Sequence, residues 1–89
     1  MANHKSAIKR IRQNEKKRMR NKSVRTLLRT RFNQFENAIK EGDVAQAETL
    51  FRNAESALHR AASKGIIPRS RAARKTGRLA AQLNTLRNA

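Results

Sequence analysis

Apolar positions recur every three or four residues in three stretches of the chain, which is the spacing of amphipathic helices. The three sets are Val24, Leu28, Phe32, Phe35 and Ile39; Val44, Ala47, Phe51, Ala54, Leu58 and Ala61; and Ala72, Ala73, Leu79, Leu83 and Leu86. No stretch shows the strict alternation of a strand, and no hairpin signal is present. The sequence therefore predicts an all-α protein, most simply an antiparallel three-helix bundle.

Capping residues and glycines set the predicted boundaries of the first two helices. Ser6 is the expected N-cap of helix one, which should run to about Lys40, with Gly42 just beyond its end. Asp43 is the expected N-cap of helix two. Gln46 follows three residues later, as in a capping box.

The connection between helices two and three contains the remaining helix-breaking residues. Gly65 is expected to end helix two, after about residue 63, and Ile66 to fold back onto its last turn. Two starts remain open for helix three: Ser70 as the N-cap, or Pro68 as a first-turn residue. In either case the helix should end near Leu86.

The predicted helices differ in length. Helix one would have roughly 35 residues and span about 52 Å, whereas helix two would have roughly 20 and span about 30 Å. Helix two can therefore cover only part of helix one. We expect a single domain over residues 1–89, with a projecting basic helix at about 5–22 and the three-helix bundle at about 23–88.

Charge is distributed unevenly along these elements. The net charge is +11 over residues 1–31, −2 over 32–60 and +7 over 61–89, which together give +16. Such an excess of one sign predicts a polyanionic partner. The chain has no cysteine, so disulfides and thiolate metal sites are excluded. It shows no secretory signal and no apolar stretch long enough to span a bilayer.

The basic residues of helix one point in nearly every direction. At about 100° per residue, one stripe holds Lys5, Lys9, Arg12, Lys16 and Arg20, a second Arg10 and Lys17, and a third Arg18, Lys22, Arg25 and Arg29. A membrane-surface helix needs a broad apolar face opposite its charges, whereas a helix inserted among nucleic-acid strands meets phosphates on several sides. The pattern therefore favours nucleic acid.

The same charges oppose helix formation in the free protein. Like charges four residues apart, as at Lys5 and Lys9 or at Lys16 and Arg20, each cost a few tenths of a kcal/mol. We expect the first 20 residues to be largely frayed in isolation and to fold on their partner.

The aromatic residues indicate the manner of nucleic-acid binding. Phe32, Phe35 and Phe51 all fall on predicted core stripes, and the chain has no Trp or Tyr. Modules that stack bases on exposed aromatic rings are therefore excluded, and contacts to phosphates and to folded shape are expected. Apolar heptads are too few for a basic zipper. A DNA-compacting protein remains open, while an organellar transit peptide is disfavoured because the C-terminal third is equally basic.

A second basic run covers residues 64–78. Arg71, Arg74, Lys75 and Arg78 share one face of helix three, and the start of that helix adds backbone N–H groups that favour phosphate. Gly77, inside the helix, either allows a close backbone approach or is simply tolerated.

No constellation for catalysis is present. Five of the six acids lie in the near-neutral middle, and His4 and His59 have no partner at metal-ligand spacing. The sequence predicts neither an enzyme nor a cofactor or metal site.

Several runs of residues resemble a known family. They are Met1–Lys16, Arg20–Lys22, Leu58–Gly65, Ala72–Lys75 and Arg78–Leu79. Together they are similar to the bacterial small-subunit ribosomal protein S20 (bS20) family over essentially the whole chain. The resemblance implies a three-helix bundle with a long first helix, few protein neighbours, no small-molecule substrate, and a cytoplasmic location on the ribosome. It also implies direct binding to 16S ribosomal RNA, bridging the 5′ domain and the long penultimate helix.

The resemblance and the charge pattern together select the candidate rRNA-binding residues. They are Asn3, His4, Lys5, Ser6, Lys9, Arg10, Arg12, Gln13, Lys16, Lys17, Arg18, Arg20, Asn21, Lys22, Arg25, Arg29, His59, Lys64, Arg69, Ser70, Arg71, Arg74, Lys75 and Arg78.

Overall fold

Three α-helices account for nearly all of the chain. The structure, a computed structural model, describes the backbone of residues 2–89 and the side chains of residues 5–89. It contains α1 (Ala2–Glu41), α2 (Val44–Ser63) and α3 (Arg69–Asn88), and residues 2–89 include no strand. The predicted all-α class with a long first helix is confirmed.

The first helix begins earlier than its capping signal indicated. Ser6 was expected to be the N-cap, but the chain is already helical from Ala2, so that assignment is wrong. Residues 2–5 contain neither Gly nor Pro, and nothing in this segment forces the backbone out of helical geometry. Ser6 is instead an exposed residue in the interior of the helix.

The connection between α1 and α2 follows the expected chemistry. Gly42 has a φ of 74°, and its N–H donates to the carbonyl of Ile39 while that of Asp43 donates to Ala38. These are the two bonds of a Schellman motif. The Asp43 side chain accepts a hydrogen bond of 3.1 Å from the backbone N–H of Gln46, so the predicted N-cap is confirmed. The full capping box does not form, because the N–H of Asp43 already bonds to Ala38.

The connection between α2 and α3 repeats this device. Gly65 has a φ of 76°, and its N–H bonds to Ala62 while the N–H of Ile66 bonds to Ala61. Ile66 is buried, as expected for the apolar residue that follows a Schellman turn.

The start of α3 agrees with neither proposed start. Pro68 is the N-cap residue, with φ −64° and ψ 145°, and the helix begins at Arg69. Ser70 lies inside the first turn and caps nothing, since the structure shows no side-chain cap at this end. The fixed φ of proline suits this position, because an N-cap residue is extended and its own N–H is not needed there. The helix also continues to Asn88, two residues beyond the expected end.

The helices pack in antiparallel order with α2 in the middle. Extensive contacts join α1 to α2 and α2 to α3, whereas α1 and α3 touch only slightly. The buried core is Leu28, Phe35, Ala38, Ala47, Ala54, Leu58, Ala61, Ile66, Ala72, Leu79 and Leu83. Ala73 was assigned to the core but is exposed, and Ala38 was not assigned to it but is buried. The molecule measures 67 × 21 × 13 Å, because α1 is twice as long as its partners.

Candidate nucleic-acid interface

The basic half of α1, which we define as residues 5–20, buries none of its side chains. Every side chain from residue 5 to residue 20 is exposed. The segment carries eight Lys or Arg residues and a single acid, Glu15. Its cations are Lys5, Lys9, Arg10, Arg12, Lys16, Lys17, Arg18 and Arg20.

These cations are not neutralised within the protein. Among residues 5–89, Arg87 forms an ion pair with Glu48 at 2.9 Å, and the imidazole of His59 lies 3.7 Å from the carboxylate of Glu55. Neither pair involves the basic half of α1. Exposed, unpaired charge of one sign is the electrostatic signature of a surface that binds a polyanion.

The fold brings the two basic runs together. Lys17, Arg20 and Asn21 of α1 line a cleft of about 440 Å³ whose other wall is Lys64, Gly65 and Ile66 of the α2–α3 turn. We call this the cationic cleft; all of its charged side chains are basic. A Cβ placed on Gly65 would meet no atom within 4 Å, so the turn leaves space for a ligand to approach.

The first turns of α3 continue this basic surface. Arg69, Ser70, Arg71, Arg74 and Arg78 are all exposed, and α3 begins only a few residues after the cleft-lining turn. No side chain caps the N-terminal N–H groups of α3. Free N–H groups and the helix dipole favour anions at this end, in addition to the arginines.

Lys75 differs from the other candidate residues of α3. Its Nζ lies 4.6 Å from the centroid of the Phe32 ring, and the side chain is partly buried. This geometry is a cation–π contact that joins α3 to α1. The ammonium group of Lys75 therefore contributes to packing between α3 and α1.

The remaining candidates lie on other surfaces or outside the described side chains. Lys22, Arg25 and Arg29 are exposed on α1 beyond the basic half, and His59 is exposed on α2. The side chains of residues 3 and 4, which include the candidates Asn3 and His4, lie outside the described residues.

Three further observations describe the surface of the described residues. Within residues 5–89, no three His, Cys, Asp or Glu side chains form a cluster that could hold a metal. Gly77 is exposed, and a Cβ there would meet nothing within 4 Å, so close helix packing is not the reason for this glycine. In the described part of the chain, no helix has both the length and the apolar character needed to cross a membrane.

Sequence reasoning missed a second set of polar residues. Arg31, Asn53, Ser56 and Arg60 line a groove between α1 and α2. Arg31 and Arg60 were visible only as part of the charge count, because nothing in the local sequence shows that two different helices bring them to one groove.

Comparison with known proteins decides the family. A model of the family described as "Ribosomal protein S20" matches residues 2–84. The chain belongs to the ribosomal protein S20 family. The resemblance predicted from the sequence is thus confirmed, and membership makes the chain a structural ribosomal protein rather than an enzyme.

Curated S20 relatives match over nearly their full length. The protein of Clostridium perfringens is 48% identical over 86 residues, covering 97% of this chain and 99% of its own. That of Salinispora tropica is 50% identical over 80 residues, covering 90% and 91%. That of Geobacter metallireducens is 44% identical over 86 residues, covering 97% and 99%. Each is called "Small ribosomal subunit protein bS20".

Proposed function

We propose that this S20-family protein binds 16S ribosomal RNA directly in the small ribosomal subunit. There it neutralises phosphates and bridges RNA helices during assembly of the subunit. One observation supports the proposal most strongly. Lys17, Arg20 and Lys64 line the same cleft, at the end of a basic helical segment whose side chains are all exposed. The family and its relatives' names support the ribosomal setting.

The two basic surfaces explain how one small protein would bridge two parts of an RNA. The basic half of α1 carries positive charge on most of its circumference, so phosphates on several sides of it gain a cationic partner. The cationic cleft and the start of α3 present a second basic surface on the bundle. Because α1 is one continuous helix of about 60 Å, it would fix the distance between the RNA segments on these surfaces. By resemblance those segments are the 5′ domain and the long penultimate helix.

Recognition would depend on backbone and shape rather than on aromatic stacking. Phe35 is completely buried, and Phe32 and Phe51 pack against the core. None of the three rings is an open platform for a base, which leaves phosphate and sugar contacts as the main source of affinity.

In this proposal the chain forms a single domain that has two parts. Residues 5–22 would be the RNA-binding projection and residues 23–88 the bundle that positions it. Lys17, Arg20 and Asn21 line the cationic cleft and lie where the two parts join.

A salt titration of RNA binding tests the proposed mechanism. About eight phosphate contacts should give a slope of roughly −6 to −7 in a plot of log K against log salt concentration, because each contact releases counterions. Filter binding of full-length 16S rRNA measures this slope, and RNA footprinting with and without the protein locates the contacts. A slope near −1 would rule the mechanism out. Equal competition by duplex DNA at one salt concentration would favour DNA compaction instead.

A further inference from the structure

A groove between α1 and α2 lies outside the surfaces considered so far. It has a volume of about 320 Å³ and an apolar lining of Val24, Leu27, Leu28, Ala57 and Ala61. Leu28 and Ala61 belong to the buried core, whereas Leu27 is one of the exposed large apolar residues. The groove therefore lies directly over the buried core of the bundle. Its volume is at the lower end of the ~300–1,000 Å³ range of small-ligand pockets.

The rim of the groove is basic and polar. Arg31 comes from α1, Arg60 from α2 and Lys64 from the α2–α3 turn, and none of the lining residues is acidic. Asn53 and Ser56 add an amide and a hydroxyl, each of which both donates and accepts hydrogen bonds.

We propose that this groove holds one unpaired nucleobase of the bound RNA, an inference that rests on the proposed function. The face of the base would lie on the aliphatic surfaces of Leu27 and Ala57, and its polar edge would reach Asn53 and Ser56. The phosphates on either side of that nucleotide would then pair with the cations of the rim. Single-stranded bulges and loops are the parts of an RNA whose bases are free to leave the stack in this way.

Continuity with the cationic cleft favours RNA over a protein as the occupant. Lys64 lines both the groove and the cleft, so a strand bound along the cleft leads directly to the groove. The apolar segment of a protein partner would fill the groove but leave Arg31, Arg60 and Lys64 without counterions. A nucleotide brings an apolar ring face, a polar edge and a negative charge together, which matches all three classes of lining residue.

Blocking the groove is the direct test. Ser56→Leu places an apolar side chain at the groove, and Thr85→Leu is the matched control, since Thr85 is exposed on α3 and lines none of the described clefts. We expect Ser56→Leu to weaken filter binding to full-length 16S rRNA roughly tenfold, while Thr85→Leu leaves it unchanged. In nucleotide-resolution chemical probing, one unpaired base protected by the wild type and by Thr85→Leu should become reactive with Ser56→Leu.

A second pair of variants tests the rim without adding bulk. Arg60→Gln should expose the same base, whereas Arg52→Gln, an exposed α2 residue outside the groove, should not. Thermal unfolding followed by circular dichroism checks that all four variants fold.

Two results would overturn the inference. One is equal affinity of Ser56→Leu and Thr85→Leu; the other is a loss of affinity that changes no individual nucleotide. Either result leaves the proposed function intact, because the wild type would still show steep, salt-dependent binding to rRNA. Absence of that binding in the wild type would instead defeat the proposed function itself.

Discussion

The two halves of α1 share one continuous backbone helix but have opposite surroundings. In residues 5–20 every side chain is exposed, whereas in residues 21–41 Leu28, Phe35 and Ala38 are buried to 5% exposure or less. The second half is stabilised by α2, which packs along it in antiparallel fashion. The first half has only its own backbone hydrogen bonds, and an isolated helix of that length is marginal in water.

The apolar residues of the two halves also lie on different sides of the helix. Ile8, Ile11 and Met19 are 41%, 57% and 71% exposed. At about 100° per residue, Ile8 is turned by about 200° from the buried Leu28. The apolar stripe that binds the bundle therefore does not continue into the basic half. The comparison shows that helical structure and a helix's place in a core are specified separately, the first by propensity and the second by the direction of the apolar residues.

Amide hydrogen exchange should show the largest difference between the halves. We expect amides of residues 5–16 in the free protein to exchange almost as in an unfolded chain, since nothing packs over them. Core amides near Phe35 should be protected by a factor of about a thousand or more, as global unfolding is required to expose them. Nuclear magnetic resonance at a range of exchange times measures both. Firm protection of residues 5–16 without RNA would contradict this picture.

Truncating one apolar residue in each half of α1 should have different effects on the free energy of unfolding. Phe35→Ala is expected to lower the free energy of unfolding by about 3–5 kcal/mol, because it opens a cavity at a fully buried position. Ile11→Ala should change it by less than about 0.5 kcal/mol. Chemical denaturation followed by circular dichroism gives both values. Similar losses for the two variants would show that the basic half packs onto the protein in solution.

Removing the same amount of charge from the basic half and from the near-neutral middle should lower the RNA affinity by different amounts. Lys9→Gln combined with Lys16→Gln is expected to weaken binding to 16S rRNA roughly tenfold or more and to make the salt slope shallower by about 1.5–2. The matched pair, Lys40→Gln with Arg52→Gln, removes the same net charge from exposed positions in the near-neutral middle. Filter binding at several salt concentrations compares the two. Equal losses would mean that only net charge matters and that the basic half has no specific place on the RNA.

The smallest expected effect concerns two neighbouring cations of α3. Lys75→Met removes the ammonium above Phe32 but keeps an aliphatic chain, and should lower the free energy of unfolding by about 0.5–1 kcal/mol. Arg74→Met, at an exposed position, should leave stability nearly unchanged but weaken RNA binding more than Lys75→Met does. Thermal denaturation and filter binding measure the two properties. The reverse order would show that Lys75 is primarily an RNA contact.

Local chemistry was sufficient to predict most of the fold. The glycines at positions 42 and 65 adopt the positive φ that ends a helix, and Asp43 caps α2 as its side chain predicts. The failures came where a local preference was weak. A serine signals an N-cap, but neither Ser6 nor Ser70 caps a helix, because the helix starts before each of them.

The sequence by itself determined the three helices, the stripes that pack between them, and the exposed, unpaired charge of the basic half, since these depend on spacing and side-chain chemistry along one helix. Only the tertiary structure decided which distant residues meet. The turn containing Lys64 lies beside Lys17 and Arg20, and Arg31 and Arg60 line one groove, because α2 packs antiparallel on α1 in one particular register. That register results from the packing of Leu28, Phe35 and their partners as a whole, and no local run of residues encodes it.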